Sequence, residues 1–284
     1  MKLIKPLFNI IEQAFGLKGI YKQIEMAGRT CYKSEDKITE DSAKEFVDRM
    51  IKSGHGAMLE HGTVYLKVPN GRMYRDGAFR NFNEVFTDNL YYRMCSNDGT
   101  IYITTNYRYI VENHLEYWLK YLCEPTEYHE KRHTVKFICD RGVSHEFVRH
   151  RVFSFAQEST RYCNYSKDKF DNEITFIMPC WMDEEELASY GPYHTVCRSK
   201  TPESIFIASL NNAEQDYKAL IDMGWKPQQA RAILPNALKT ELVMTGFVSD
   251  WKHFFELRDA GSAHPQAREL AQPLHEEFIK RNWL

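Results

Sequence analysis

Between Ser144 and Tyr165 the chain reads SHEFVRHRVFSFAQESTRYCNY, in which Arg149, His150, Arg151 and Arg161 are interleaved with Phe147, Phe153, Phe155, Tyr162 and Tyr165. Guanidinium forks grip phosphate or carboxylate bidentately, ring faces stack on heterocycles, and Gln157, Ser159 and Thr160 can read amide edges. That combination suits a nucleotide-like ligand. A solvated basic loop beside core aromatics has the same composition, so residue types alone leave both readings open.

Three other patterns compete for attention. His129, Glu130, Lys131, Arg132 and His133 match H-E-x-x-H, which on a helix would set two zinc-binding imidazoles one turn apart. Pro125 just before it and the strand-like run Thr134 to Cys139 just after it leave no such helix, and no metal site is expected. Cys180 follows Pro179 but precedes Trp181, and is read as a buried structural cysteine rather than a nucleophile. Ser159 with nearby His150 has no G-x-S-x-G elbow around it, so a ligand-binding hydroxyl fits better than a hydrolase.

The elements that must position these residues belong to an ordinary globular chain. It has 284 residues, 43% hydrophobic and 27% charged, with a formal net charge of −2. Near-neutral charge argues against bulk affinity for nucleic acid. Seven cysteines, Cys31, Cys95, Cys123, Cys139, Cys163, Cys180 and Cys197, form no C-x-x-C pair. An odd, scattered set points to a reducing compartment, with the cytoplasm expected. The polar start, broken by Pro6 and Asn9, does not read as a secretory signal, and no apolar run is long enough for a membrane helix. Without repeats or linkers, residues 1–284 are expected to form one catalytic domain, with 70–133 as an insertion or elaboration.

The pattern predicts a helix over Thr39 to Gly54, started by a capping box of Ser42 and Glu45, and a half-buried strand over Thr63 to Val68, followed by a turn at Pro69, Asn70 and Gly71. A strand near Ile101 to Ile103 and a helix through Leu115, Trp118, Leu119 and Leu122 come next. Val135, Phe137 and Cys139 alternate as a strand, a helix opens at Gly142 and Ser144 and runs through Arg151, and a polar loop spans Phe153 to Tyr165. A strand at Ile174 to Met178 precedes a long helix capped by Thr201 and Pro202, ending near Met223, and Pro227 starts another. Ser249 and Asp250 precede a helix bearing Trp251, Phe254, Phe255 and Arg258, and a last helix runs from Pro265 to Trp283 with a kink at Pro273.

Arg149, His150 and Arg151, then seven residues, then Ser159, reproduce the R-H-R-x7-S signature of the flavin-dependent thymidylate synthases (ThyX family), and Arg161 and Tyr162 continue it. Gly54, His55, Glu60 and His61 resemble the family's G-H-x-x-x-x-E-H segment. Ala230, Arg231, Leu234 and Pro235 resemble its A-R-x-x-L-P segment, and Leu257, Arg258, Ala263 and Gln266 its terminal segment. The anchors stand in the family's order.

The resemblance implies an α/β fold of the α+β kind, an antiparallel sheet flanked by helices, in a homotetramer with shared active sites. It implies methylation of dUMP at C5, with 5,10-methylenetetrahydrofolate giving the carbon and FAD reduced by NADPH giving the hydride. Arg149, His150, Ser159 and Arg161 become the expected catalytic set. His55, Glu60, Arg149, His150, Arg151 and His253 are expected against the flavin. Glu146, Gln157, Ser159, Thr160, Arg161, Arg231 and Arg258 are expected on dUMP, with Arg161 for the phosphate. No membrane or nucleic-acid partner is implied.

This chain departs from the family's pattern in several places. Glu146 stands where many members carry Gln, Ala156 where Asn or Ser is usual, Ala57 where a small hydroxyl residue is common, and Phe247 and His253 where flavin-contacting Asn is expected. Residues 70–133 have no counterpart in compact members. A non-catalytic nucleotide- or RNA-binding homologue is the alternative these departures raise.

Overall fold

The structure is a computed structural model in which residues 1–69, 72–75, 78–81, 90–165, 172–182 and 201–284 are described. Asn70 and Gly71 of the expected turn, Cys197 and most of 70–89 lie outside them.

Strands β1 (Lys2–Ile4) and β2 (Leu7–Ile11) lead into helix α1 (Gly16–Tyr32). None of the three is legible in the sequence pattern, because LFNII does not alternate and Gly19 and Gly28 interrupt the stripe Ile20, Gln23, Ile24 and Ala27 that α1 buries. Helix α2 (Ser42–Lys52) falls inside its expected span. Ser42 does not cap it. Its hydroxyl accepts the Thr39 N–H at 2.9 Å and donates to Glu25 at 2.9 Å, tying α2 to α1.

The short helix α3 (Gly56–Leu59) fills the connector, and β3 (Thr63–Val68) matches the alternating run residue for residue. A hairpin of β4 (Arg72–Arg75) and β5 (Ala78–Asn81), then β6 (Arg93–Asn97), β7 (Thr100–Asn106) and α4 (Tyr107–Glu112), follow. The helix expected over Leu115 to Leu122 is a 3₁₀ helix, Glu116–Tyr121, with Trp118 fully buried.

Strand β8 (Arg132–Asp140) runs into α5 (Arg141–Phe147), whose N-terminus is capped by the Asp140 carboxylate accepting from the Val143 N–H at 2.7 Å. The helix therefore stops before the R-H-R triplet, which occupies a turn. The expected polar loop contains β9 (Ser154–Gln157). Four residues reading SFAQ are too few and too polar for a period-2 signal, and their extension is set by pairing to a neighbour.

The remaining elements are β10 (Thr175–Ile177), α6 (Pro202–Asp222), α7 (Pro227–Ala230), β11 (Lys239–Phe247), α8 (Val248–Arg258) and α9 (Pro265–Lys280). Helix α8 begins ahead of its expected start: Asp250 reaches back to the Phe247 N–H at 3.0 Å, and Glu130 accepts from the Ser249 N–H at 2.9 Å. Helix α9 contains Pro273 and ends at Lys280, and Trp283 lies beyond it, stacked on His133 with ring centroids 3.6 Å apart.

The fold is mixed α/β. A central antiparallel sheet has the order β2-β8-β11-β9, a second sheet the order β3-β7-β6, and β1 and β10 pair in parallel. On one face of the central sheet, Val135, Phe137, Leu242 and Met244 pack against Phe147, Trp251, Phe254, Leu274 and Phe278 of α5, α8 and α9. The opposite face carries Ala156 and Val243 against Ala27 of α1. Small side chains there let the helix approach closely. A further core joins α1 and α2 to β3, β7, α4 and Trp118. Gly246 of β11 has to lack a side chain, because an added Cβ would sit 2.5 Å from the ring of Phe153, the residue that seats the motif turn on the sheet.

Candidate active site

The turn after α5 exposes Arg149 and Arg151 and buries His150 between them. The long-range partner is Arg258, in the last turn of α8. Its Nε donates to His150 Nε2 at 3.0 Å, Nη1 to the Glu146 carboxylate at 2.7 Å and Nη2 to the Glu146 backbone carbonyl at 2.8 Å. Because Nε2 accepts, the ring proton of neutral His150 belongs on Nδ1. Burial, then the charges of Arg258 and His253, hold this imidazole down to about 4, so it is neutral at physiological pH. Beside Glu146 a cavity of about 340 Å³ opens between Asp140, Trp181, Phe206, His264 and Gln266, walls that offer both aromatic faces and polar groups to a flat heterocycle.

A second group of expected residues gathers past β9. Arg231 donates to the Thr160 hydroxyl at 2.9 Å, the Arg161 N–H reaches the Ser159 hydroxyl at 3.3 Å, and the Arg161 guanidinium lies 5.4 Å from the Tyr162 ring. Two exposed guanidiniums and a hydroxyl around one turn can hold a phosphate. Thr160 is itself buried and acts on Arg231. Gln157 points inward, its amide donating to Ser144 at 2.9 Å and Thr240 at 3.2 Å, which fixes β9 against α5 and β11. Among the described residues no hydrogen bond or ion pair joins the Ser159, Arg161 and Arg231 group to the Glu146, His150 and Arg258 group.

Behind this turn lies a network that the sequence pattern does not reveal. Glu158 pairs with Lys239 at 2.7 Å, and Glu241 with Lys239 at 2.6 Å, Lys136 at 2.5 Å and Lys33. Burial raises the Glu241 carboxyl, but the Lys239, Lys33 and Lys136 ammoniums outweigh it and hold the group well below the usual carboxylate range. These charges come from four separate segments and have no common spacing.

The residues expected against a flavin divide. His55 is exposed; its Nδ1 is hydrogen-bonded to the Tyr32 hydroxyl at 2.6 Å, with the two rings stacked, and Tyr32 in turn lies 5.8 Å from Tyr162. Tyr32 orients His55 but carries no motif signal. Glu60 is engaged by Arg108 at 2.7 Å. His253 is exposed, its ring 6.3 Å from that of His150. Phe247 is buried, with the Arg93 guanidinium 4.3 Å and that of Arg132 5.3 Å from its ring. Exposed arginines and ring faces around Tyr32, His55 and Tyr162 fit a flavin dinucleotide, whereas Phe247 is committed to packing.

The H-E-x-x-H residues have other tasks. His129 sits in a turn and His133 in β8. His129 Nδ1 accepts from the Thr126 N–H at 3.1 Å, which leaves Nε2–H to donate to the Leu66 carbonyl at 3.1 Å, so both ring nitrogens serve the local fold. Cys180, expected to be buried, is exposed in the turn after β10, where the chain has left the sheet.

Residues 98–281 match the family model described as thymidylate synthase complementing protein. A flavin-dependent thymidylate synthase of Pyrococcus furiosus is 32% identical over 144 residues, which are 51% of this chain and 52% of that protein. One of Corynebacterium aurimucosum is 25% identical over 251 residues, 87% of this chain and 71% of that protein. The chain thus matches about half the length of the first relative and more of the second. Among solved structures, a crystal structure of the UMP/dUMP methylase PolB from Streptomyces cacaoi bound with 5-Br dUMP aligns with TM-score 0.43 and 18% identity, covering 99% of this chain and 93% of that one.

Proposed function

The chain belongs to the thymidylate synthase complementing protein family, and from that premise we propose that it methylates dUMP to dTMP. In this reading the one-carbon unit comes from 5,10-methylenetetrahydrofolate, whose tetrahydrofolate leaves unoxidised. FAD reduced by NADPH supplies the hydride that completes the methyl group, and the C5 hydrogen of the uracil departs as a proton. The chain acts as one catalytic unit over 1–284, with 70–133 as its elaboration; from Thr100 to Tyr121 that stretch shares a core with α1 and α2. Among the described residues no helix is long and apolar enough to cross a membrane.

The observation that carries the reading is the Arg258 fork, which brings the terminal segment of the family pattern onto the R-H-R turn. Three of its five N–H donors are held by Glu146 and His150, leaving two to meet the carbonyl edge of a pyrimidine. Arg161, Arg231 and Ser159 hold the nucleotide phosphate, and Gln157 and Thr160 keep that turn in place. Arg149 and Arg151 border flavin and nucleotide, His55 and Glu60 lie on the flavin side, and His253 faces the same opening. As the resemblance implies, subunits of a homotetramer share each site in this reading.

The competing reading, a nucleotide-binding homologue without chemistry, draws on Phe247, whose ring is buried where a flavin-contacting amide is expected. Release of tritium from dUMP labelled at C5 separates the two. Release that needs FAD, NADPH and methylenetetrahydrofolate together supports the synthase; none from folded protein that still binds dUMP leaves the binding homologue.

A further inference from the structure

Helix α3 has four residues, of which only Leu59 is buried. A single turn is far below the length at which a helix stands by itself in water, so its place and direction are set by what packs on it. This bears on both of its ends, since His55 precedes its first residue and Glu60 follows its last.

Arg108 of α4 packs on it. Nη1 donates to the Glu60 carboxylate at 2.7 Å, and Nε donates to Glu112, one turn along α4, also at 2.7 Å. The same guanidinium lies against the backbone of Gly56: a Cβ added there would sit 2.8 Å from Arg108 Nε and 3.0 Å from the Glu112 carboxylate. Gly56 and Glu60 are four positions apart, on one face of the turn, so a single side chain spans α3 from end to end.

Helix α4 is itself fixed in place. The Asn106 side chain caps it by accepting the Tyr109 N–H at 2.9 Å, the Tyr107 N–H donates to the Gly62 carbonyl at 2.8 Å, and the Tyr107 hydroxyl is 2.9 Å from that of Tyr21 in α1. Glu60 is gripped a second time, its backbone carbonyl accepting from Arg132 Nη1 at 3.1 Å. With Oε1 on Arg108 and the carbonyl on Arg132, the side chain is held to one direction. Its other carboxylate oxygen, Oε2, makes no hydrogen bond among the described residues, and the side chain keeps 16% of its surface exposed. An ion pair with one partner this exposed contributes little to stability, so its consequence is geometric.

We propose that Arg108 is the positioning residue of the flavin side: by clamping α3 at Gly56 and Glu60 it aims the free oxygen of Glu60 at the cofactor. The proposal rests on the reading that His55 and Glu60 face the flavin. Arg108 acts through Glu60 and gives the 70–133 stretch a direct bearing on cofactor binding.

Titration of FAD into the full chain, followed by flavin fluorescence, tests it in wild type, Glu60→Gln, Arg108→Met, the two combined, and Gly56→Ala. Each single variant is expected to weaken FAD binding by about tenfold, the effect of a charge-assisted hydrogen bond. The combined variant is expected to bind no more weakly than Glu60→Gln alone, because Arg108 has no route to the cofactor except Glu60; a merely structural role would make the losses add. Gly56→Ala carries the test if Arg108→Met fails to fold. Alanine favours helix over glycine, so its urea midpoint should hold or rise while FAD affinity falls as the guanidinium is displaced. Arg108→Lys should restore part of the affinity by returning the charge without the fork. Weakening by Glu60→Gln with none from Arg108→Met or Gly56→Ala, or losses that add, overturns the proposal and leaves the flavin reading standing. No FAD binding by wild type, or an affinity indifferent to Glu60→Gln, overturns that reading and the proposal with it.

Discussion

Arg258 holds Glu146 and His150 at once, so removing it frees a carboxylate and an imidazole as well as the donor proposed for the substrate. Among the described residues the Arg231 side chain makes one hydrogen bond, to Thr160, and its guanidinium is exposed. Arg231→Ala should therefore weaken dUMP binding by the worth of a charge-assisted hydrogen bond, roughly 1.5 to 3 kcal/mol, with little change in folding stability. Arg258→Ala should lower both dUMP affinity and stability, because Glu146 and His150 lose their partner. Equilibrium dUMP binding paired with urea unfolding distinguishes the two; an unchanged dUMP affinity in both variants would contradict the assigned roles.

Against the central sheet, His61 of the turn before β3 has no exposed surface, and its Nδ1 joins the Thr245 hydroxyl at 2.8 Å, itself 2.8 Å from Thr134 of β8. Burial, then the charge of Arg132, push its imidazole down to about 3. The unfolded chain protonates that ring near its ordinary value of about 6.5 while the native sheet resists, so stability is lost as pH falls below 6.5 and continues to fall toward 3. By pH 4 the loss from this group should be on the order of 3 kcal/mol. Urea midpoints measured from pH 7 to 4 should show it, and His61→Asn, which does not titrate, should flatten the dependence by that share. The helical layer has its own test. Trp251 is fully buried among Phe137, Phe153, Phe254 and Phe278, and Trp251→Ala should cost about 3 to 5 kcal/mol in unfolding free energy while displacing the helix that carries Arg258.

At the scale of the whole molecule, no hydrogen bond or ion pair among the described residues joins the groups proposed to read the base to those proposed to hold the phosphate. If each site combines the first group of one subunit with the second group of another, an Arg161→Ala chain and an Arg258→Ala chain, each inactive alone, should regain activity when assembled together. Activity that stays at background in mixed oligomers, verified as mixed by mass, would place both groups of each site on a single chain. The same view gives the 70–133 stretch a physical role: Arg93 from β6 lies against Phe247, 3.3 Å from Glu130, the residue that caps α8. Arg93 and Glu130 thus brace the helix that carries His253 and Arg258.

The residues proposed to meet a ligand stand out in the sequence because their chemistry is local in type and spacing: R-H-R-x7-S, the arginines at 231 and 258, and the alternating strand at Thr63 to Val68 each declare themselves within a few positions. Strand β9 did not, since its extension comes from pairing with β11 rather than from its own pattern. Nor did α1, whose two glycines weaken the helical signal that packing against α2 and the sheet restores. The supporting contacts were hidden for the same reason. Tyr32 under His55, Glu241 among three lysines, and Arg132 over the Phe247 ring depend on segments tens to hundreds of residues apart. Composition and periodicity report what a segment prefers; only the tertiary structure decides which side chain meets which, because burial and pairing are properties of the assembled chain.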